Sequence, residues 1–242
     1  MFIGHFAVGF AAKRAAPRAS LGTYVAASLF LDVLWPVLLL LGFEQVRIAP
    51  GDTAFTPFAF VSYPFSHSLL MAVVWSLVFG GGHYLFRRDK PTAKMLAAVV
   101  FSHWVLDWVT HRPDLQLAPG LAFRTGLGLW NSVPATVAVE VSLFLALAWW
   151  YERATEPLDR VGLWAWYAMI GLLLCICGAS LGPPPQPGQE RMVALVTIVS
   201  WIFVPWSAWV DRHRVFRRCR LCAPSWSPSR SAPRRLPPTR SR

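Results

Sequence analysis

The segment Ser102-His103-Trp104-Val105-Leu106-Asp107-Trp108-Val109-Thr110-His111 carries three groups able to do chemistry, spaced four residues apart. On an α-helix His103, Asp107 and His111 share one face, so the spacing predicts a polar stripe. An imidazole and a carboxylate one turn apart can hold a metal ion between them, with His111 close enough to add to it or to orient a ligand. The plainer reading is a water-facing stripe at a membrane boundary, which suits His111-Arg112. Asp32 is the second clue. It lies inside Leu29-Phe30-Leu31-Asp32-Val33-Leu34-Trp35-Pro36, and an ionisable group in hydrocarbon costs about 2.5–3.5 kcal/mol. Pro36 has no N–H for the Asp32 carbonyl and is expected to kink the run there.

His67 opens an apolar run in Pro64-Phe65-Ser66-His67-Ser68 and His5 sits in a short apolar piece, 1–12. Taken alone, His67 reads as an interfacial histidine. Glu140 is a further carboxylate halfway along a later apolar run. It can complete a metal site, act as a general base or pair with a cation, and all three readings stay open. His83 and His213 lie beside Arg87/Arg88 and Arg212/Arg214. Both are read as headgroup-level residues outside any site.

These residues must be positioned by helices in a membrane. Hydrophobic residues make up 55% of the 242 and charged ones only 14%, where a soluble domain would hold about a quarter charged residues. The apolar residues gather into runs near the roughly 20 residues needed to cross a bilayer core. Six spans are expected, at 21–43, 66–86, 93–109, 129–151, 161–181 and 192–210, in an all-α bundle. The piece 1–12 is too short to cross and is expected as a half-inserted helix.

Basic residues orient the bundle. If the N-terminal loop is inside, the inner segments hold Lys13, Arg14 and Arg18, then Arg87, Arg88, Lys90 and Lys94, then Arg153 and Arg160, and finally ten in the tail. The outer segments hold only Arg47, Arg112, Arg124 and Arg191. This bias predicts a multi-pass cell-membrane protein with the N-terminal loop and the C-terminal tail in the cytoplasm. At 1.5 Å per residue, His5 then stands about 12 Å above the inner basic cluster, and His103, Asp107 and Asp32 roughly 12–20 Å above it. The candidate ligands therefore share the middle-to-outer depth of the bundle, and depth alone leaves their adjacency open.

The formal charge of +11 could suggest nucleic acid, yet ten of the 23 Lys and Arg lie beyond residue 211, in a stretch rich in Pro and Ser. Such a tail beside a membrane points to anionic headgroups, so lipids are the expected partner and nucleic acid is not. The organisation expected is a helical domain over 1–218 and a disordered basic cytoplasmic tail over 219–242. Cys175/Cys177 lies within an apolar run and Cys219/Cys222 has no second pair to complete a zinc site. Neither predicts a disulfide framework.

The order His5, Asp32, Ser66-His67-Ser68 and Ser102-His103-Trp104-Val105-Leu106-Asp107 resembles the bacterial membrane-bound metal-dependent hydrolase family. The match covers roughly the first 115 residues. The resemblance implies a divalent metal site of zinc type and hydrolysis of a phosphoester or lipid-like bond near the outer leaflet. It implies His5, Asp32, His67, His103 and Asp107 as ligands, with His111 beside them and with Asp32 or Glu140 taking a proton. Two other functions fit the same residues. A small ion- or proton-coupled transporter needs polar groups continuing to the inner face. A non-catalytic scaffold needs none of the polar groups.

Overall fold

A computed structural model of the chain describes residues 1–217; the tail expected over 219–242 and the Cys219/Cys222 pair lie outside the described residues. The described chain is mostly helical, as expected. Its helices are α1 (Ile3–Ala15), α2 (Leu21–Ser28), α3 (Phe30–Leu40), α4 (Pro64–His67), α5 (Leu69–Arg87), α6 (Lys90–Thr110), α7 (Val133–Ala154), α8 (Arg160–Ala179), α9 (Glu190–Val199) and α10 (Phe203–Arg212). Three small antiparallel sheets, which hydropathy did not predict, are added at the loops. They are a hairpin of β1 (Gln45–Ile48) and β2 (Phe58–Ser62), a pair of β3 (Leu115–Gln116) and β4 (Arg124–Thr125), and a pair of β5 (Thr155–Pro157) and β6 (Arg214–Phe216).

Among the described residues, four helical stretches are long and apolar enough to cross a membrane: α5, α7, α8 and the run Glu190–Arg212 that contains α9 and α10. A fifth arises if α2 and α3 count as one span bent by 52°. The remaining expected span is α6, whose 21 residues include Lys90, Lys94, His103 and Asp107. Those polar groups keep it below the apolar threshold while its length suffices. On α5, Leu70, Val73, Val74, Leu77, Val78, Leu85 and Phe86 are exposed. A contiguous apolar surface of this kind is suited to lipid and unsuited to water.

Caps set the helix starts. The Asp89 side chain accepts from Thr92 N and Pro91 occupies the first turn of α6; Ser132 accepts from Ala135 N ahead of α7. Asp159 caps α8, and the Gly162 amide, seconded by His213, holds its carboxyl below the usual carboxylate range. A break not expected from the sequence lies upstream of Pro36. Pro36 stays inside α3 and the chain breaks at Leu29, which has φ −99° and ψ 4°. A second break, at Ser68, separates α4 from α5, so the expected span from residue 66 begins with a four-residue helix and a turn.

The short α1 is the centre of the bundle. Ile3, Phe6, Ala7 and Phe10 are fully buried, and with Leu21, Phe144, Trp166 and Met169 they form the main core. A helix apolar on every side must be enclosed by others, and α1 packs against α2, α6, α7 and α8. Lys13, expected in the inner basic cluster, is buried: its Nζ donates to Pro17 O at 3.1 Å, Ala19 O at 2.9 Å and Asp211 Oδ2 at 3.0 Å. This ties the end of α1 to α10. A second core, with Tyr24, Leu31, Ala72, Leu96 and Val100, packs α5 and α6 against α2 and α3.

Close approach of α5 to α6 requires glycine at one position. A Cβ on Gly80 would lie 2.6 Å from Ala93 O and 2.9 Å from Ala97 Cβ, whereas a Cβ on Gly81 meets nothing within 4 Å. Gly80→Leu is expected to destabilise the protein by about 1–3 kcal/mol. Gly81→Leu is the matched control and should leave thermal unfolding in detergent within about 0.5 kcal/mol of the parent.

Candidate metal centre

Four elements bring five of the six expected ligands together. α1 supplies His5, α3 supplies Asp32, the end of α4 supplies His67, and α6 supplies His103 and Asp107. His103 Nε2 lies 3.2 Å from Asp107 Oδ2 and 3.6 Å from Asp32 Oδ1. His67 Nε2 lies 3.5 Å from Asp107 Oδ2 and 3.6 Å from Asp32 Oδ1. The four atoms therefore form a closed ring in which each imidazole nitrogen faces both carboxylates. Two ligands each about 2.1 Å from one ion in tetrahedral geometry stand about 3.4 Å apart. The four edges are near that length, and the ligand atoms of Asp32, His67 and His103 all lie within 4.8 Å of one another.

Hydrogen bonds on the far side of each ring fix its direction. His103 Nδ1 donates to the Ser28 carbonyl at 2.7 Å, a carbonyl presented by the break at Leu29. In the neutral imidazole this leaves Nε2 with its lone pair. It is buried, and its approach to Asp107 lacks hydrogen-bond angles, so among the described residues it has no hydrogen-bond partner. His67 Nδ1 meets Ser66 Oγ at 2.6 Å. With both imidazoles neutral, the lone pairs converging here repel, and a buried polar atom left unpaired costs about 1–3 kcal/mol. A cation at the centre removes both penalties. The donor set, two imidazoles and two carboxylates, is one that zinc and similar divalent ions accept.

His5 belongs to an overlapping group with His103 and Asp107, whose ligand atoms lie within 4.8 Å of one another. It stacks face to face on His103, with centroids 3.6 Å apart and planes at 2°. Its Nε2 meets the other oxygen of Asp107, Oδ1, at 3.1 Å. Oδ1 is also 2.5 Å from the Met1 nitrogen. Asp107 thus faces His5 and Met1 through one oxygen and the four-atom ring through the other. Burial is uneven: the side chains of His103, Asp107 and His67 are at most 5% exposed, while Asp32 is 34% exposed. Asp32 is the open edge of the group.

Two expected site residues stand outside both groups. His111 is the residue after α6, with extended backbone at φ −64° and ψ 145°. The four-residue stripe ends because the helix does. His111 Nδ1 meets Asp114 Oδ1 at 2.9 Å, and its ring lies 4.1 Å from that of Trp130. Tyr63 Oη donates to the same Asp114 oxygen at 2.6 Å, and Arg112 joins Asp114 to Asp52. This is a polar cap joining α6 to the residues around β1 and β2. Glu140 accepts from Phe2 N at 3.0 Å and Ile3 N at 3.0 Å. It satisfies the first amides of α1, where a negative charge is favoured by the helix dipole.

Sequence reasoning missed Glu44, Ser66, Ser28 and the Tyr63–Asp114 pair. Glu44 is fully buried and takes three hydrogen bonds from Phe65 and Ser66. No periodic signal marks it, because it lies in the turn after α3; only the adjacency of Ser66 to His67 was legible. Compared with protein-family models, curated proteins and solved structures, the chain matches none.

The hydrogen bonds of Glu140 give it an anchoring role that can be measured. Glu140→Ala leaves two buried amides unpaired and is expected to cost about 1–3 kcal/mol in thermal unfolding. Glu140→Gln keeps an acceptor and should recover at least half of that loss while retaining any bound metal.

Proposed function

We propose that the chain is a membrane-embedded metal-dependent hydrolase acting on a phosphoester or lipid-like substrate near the outer leaflet. The observation that carries this reading is the buried ring of Asp32, His67, His103 and Asp107, with edges of 3.2–3.6 Å. Those four residues would hold a divalent cation, with zinc as the first candidate, and His5 would brace Asp107 from its other oxygen. When bound, such an ion supplies Lewis acidity and a water that loses its proton near neutral pH. The resemblance of His5, Asp32, Ser66-His67-Ser68 and Ser102-His103 through Asp107 to membrane-bound metal-dependent hydrolases supports the same reaction class.

The chain's own residues would then divide the work. Asp32, the exposed member, meets substrate first, and its Oδ2 is the group to accept a proton from the attacking water. His103 and His67 would present their Nε2 atoms in one orientation, set through Ser28 and Ser66. The six-span count, with α6 as the polar span and with both N-terminal loop and tail cytoplasmic, belongs to this proposal. So does a setting among membrane lipids. The carrier reading needs polar groups below the site. One turn below His5 and His103 lies instead a cleft of about 250 Å³ lined by Val8, Ala11, Ala12, Ala15, Met95, Ala98, Val99 and Trp150.

Metal analysis of the purified protein is the direct test. Stoichiometric zinc or another divalent ion is expected in the parent and is expected to be lost in His103→Ala and Asp107→Asn. Asp32→Asn should lower hydrolysis of a phosphoester substrate by at least about 100-fold. Metal-free parent protein with an unchanged His103→Ala variant would sink the proposal.

A further inference from the structure

Glu44 has no role in the reading above, yet its burial and its bonds need explaining. It lies between α3, which carries Asp32, and β1. One oxygen, Oε1, accepts from Phe65 N at 2.9 Å and Ser66 N at 2.7 Å. The other, Oε2, accepts from Ser66 Oγ at 2.7 Å. Ser66 Oγ has a single proton, and that proton is committed to Glu44. A hydroxyl so committed can only accept at its other contact. That contact is His67 Nδ1 at 2.6 Å, so the proton between Ser66 and His67 belongs to the ring.

We infer that Glu44, acting through Ser66, is a positioning residue that fixes His67 as the Nδ1–H tautomer and so presents Nε2 as a lone pair to the centre formed with Asp32, His103 and Asp107. The inference rests on the metal reading only in its second half; the tautomer is a property of the protein itself. The relay reaches His67 by side chains, while His103 is set by a backbone carbonyl at Ser28. One imidazole can therefore be reversed by substitution and the other cannot. Groups beyond the first ligands commonly change metal affinity by about 10–100-fold.

Glutamine at position 44 separates this role from simple anchoring. Its amide oxygen must face the two backbone amides, which can only donate, so its NH2 must face Ser66 Oγ. Ser66 then turns its proton onto His67 Nδ1, and the ring moves its own proton to Nε2. Glu44→Gln thus keeps the anchoring of α4 and reverses the polarity of the chain. Ser66→Ala removes the chain without reversing it.

The experiment labels histidine with 15N in the metal-free, detergent-solubilised protein and reads the ring nitrogens of His67, assigned by their loss in His67→Ala. The parent is expected to show Nδ1–H and Glu44→Gln to show Nε2–H. Titration with Zn2+ is then expected to give an affinity about 10–100-fold weaker for Glu44→Gln, with Ser66→Ala between the two. A parent carrying Nε2–H, or a tautomer unchanged in Glu44→Gln, overturns the inference. The parent tautomer is read without any substitution at Glu44 or Ser66, so poor folding of either variant does not remove the test. Nδ1–H in a parent that binds no Zn2+ supports the relay and sinks the metal reading instead.

Discussion

Carboxylates are costly in an apolar interior unless every lone pair is met, and Asp107 is the residue at which this constraint is strongest. It is buried at mid-bundle, and groups from α1, α4 and α6 converge on it. The elements around it are arranged to bring those groups in. α1 is too short to cross by itself but carries His5 to one oxygen, and the turn at Ser68 brings His67 to the other. The break at Leu29 gives His103 a carbonyl to bind. The apolar cores on either side supply the packing that holds these helices in place, so stability and site geometry depend on the same contacts.

Much of this was legible in the residues themselves. His103 and Asp107 read as one helical face because four-residue spacing survives any tertiary context. His5, Asp32 and His67 could be singled out because polar groups in apolar runs are conspicuous. Their convergence was not legible, since hydropathy gives the depth of a residue and says nothing of rotation about a helix axis. His111 fell outside because the stripe assumed a helix one residue longer than α6. The break at Leu29, which gives His103 the Ser28 carbonyl, carries no proline or glycine to announce it.

The supporting residues were hidden for a different reason. Glu44, Ser28 and Asp114 lie at helix ends and in turns, where neither period 3.6 nor a long apolar run makes a polar residue stand out. Their partners are distant in sequence: Glu44 meets residues 21 and 22 positions later, and Ser28 meets His103 across 75. A carboxylate in a loop usually faces water, so its burial can be known only once the chain has folded. Glu140 was conspicuous yet ambiguous, because the sequence could not show that the start of α1 would come to lie against it.

The tight pairing of α5 with α6 has a consequence for how such a chain is made. α6 carries a lysine pair, a histidine and an aspartate, and a helix of that composition partitions into a bilayer poorly by itself. α5 is itself long and apolar enough to cross a membrane, and only Arg88 and Asp89 separate the two. Joined through Gly80, they can leave the translocation machinery as one hairpin, with the first helix drawing the second into lipid. The polar residues of α6 are thus tolerated during biogenesis because its predecessor bears the partitioning.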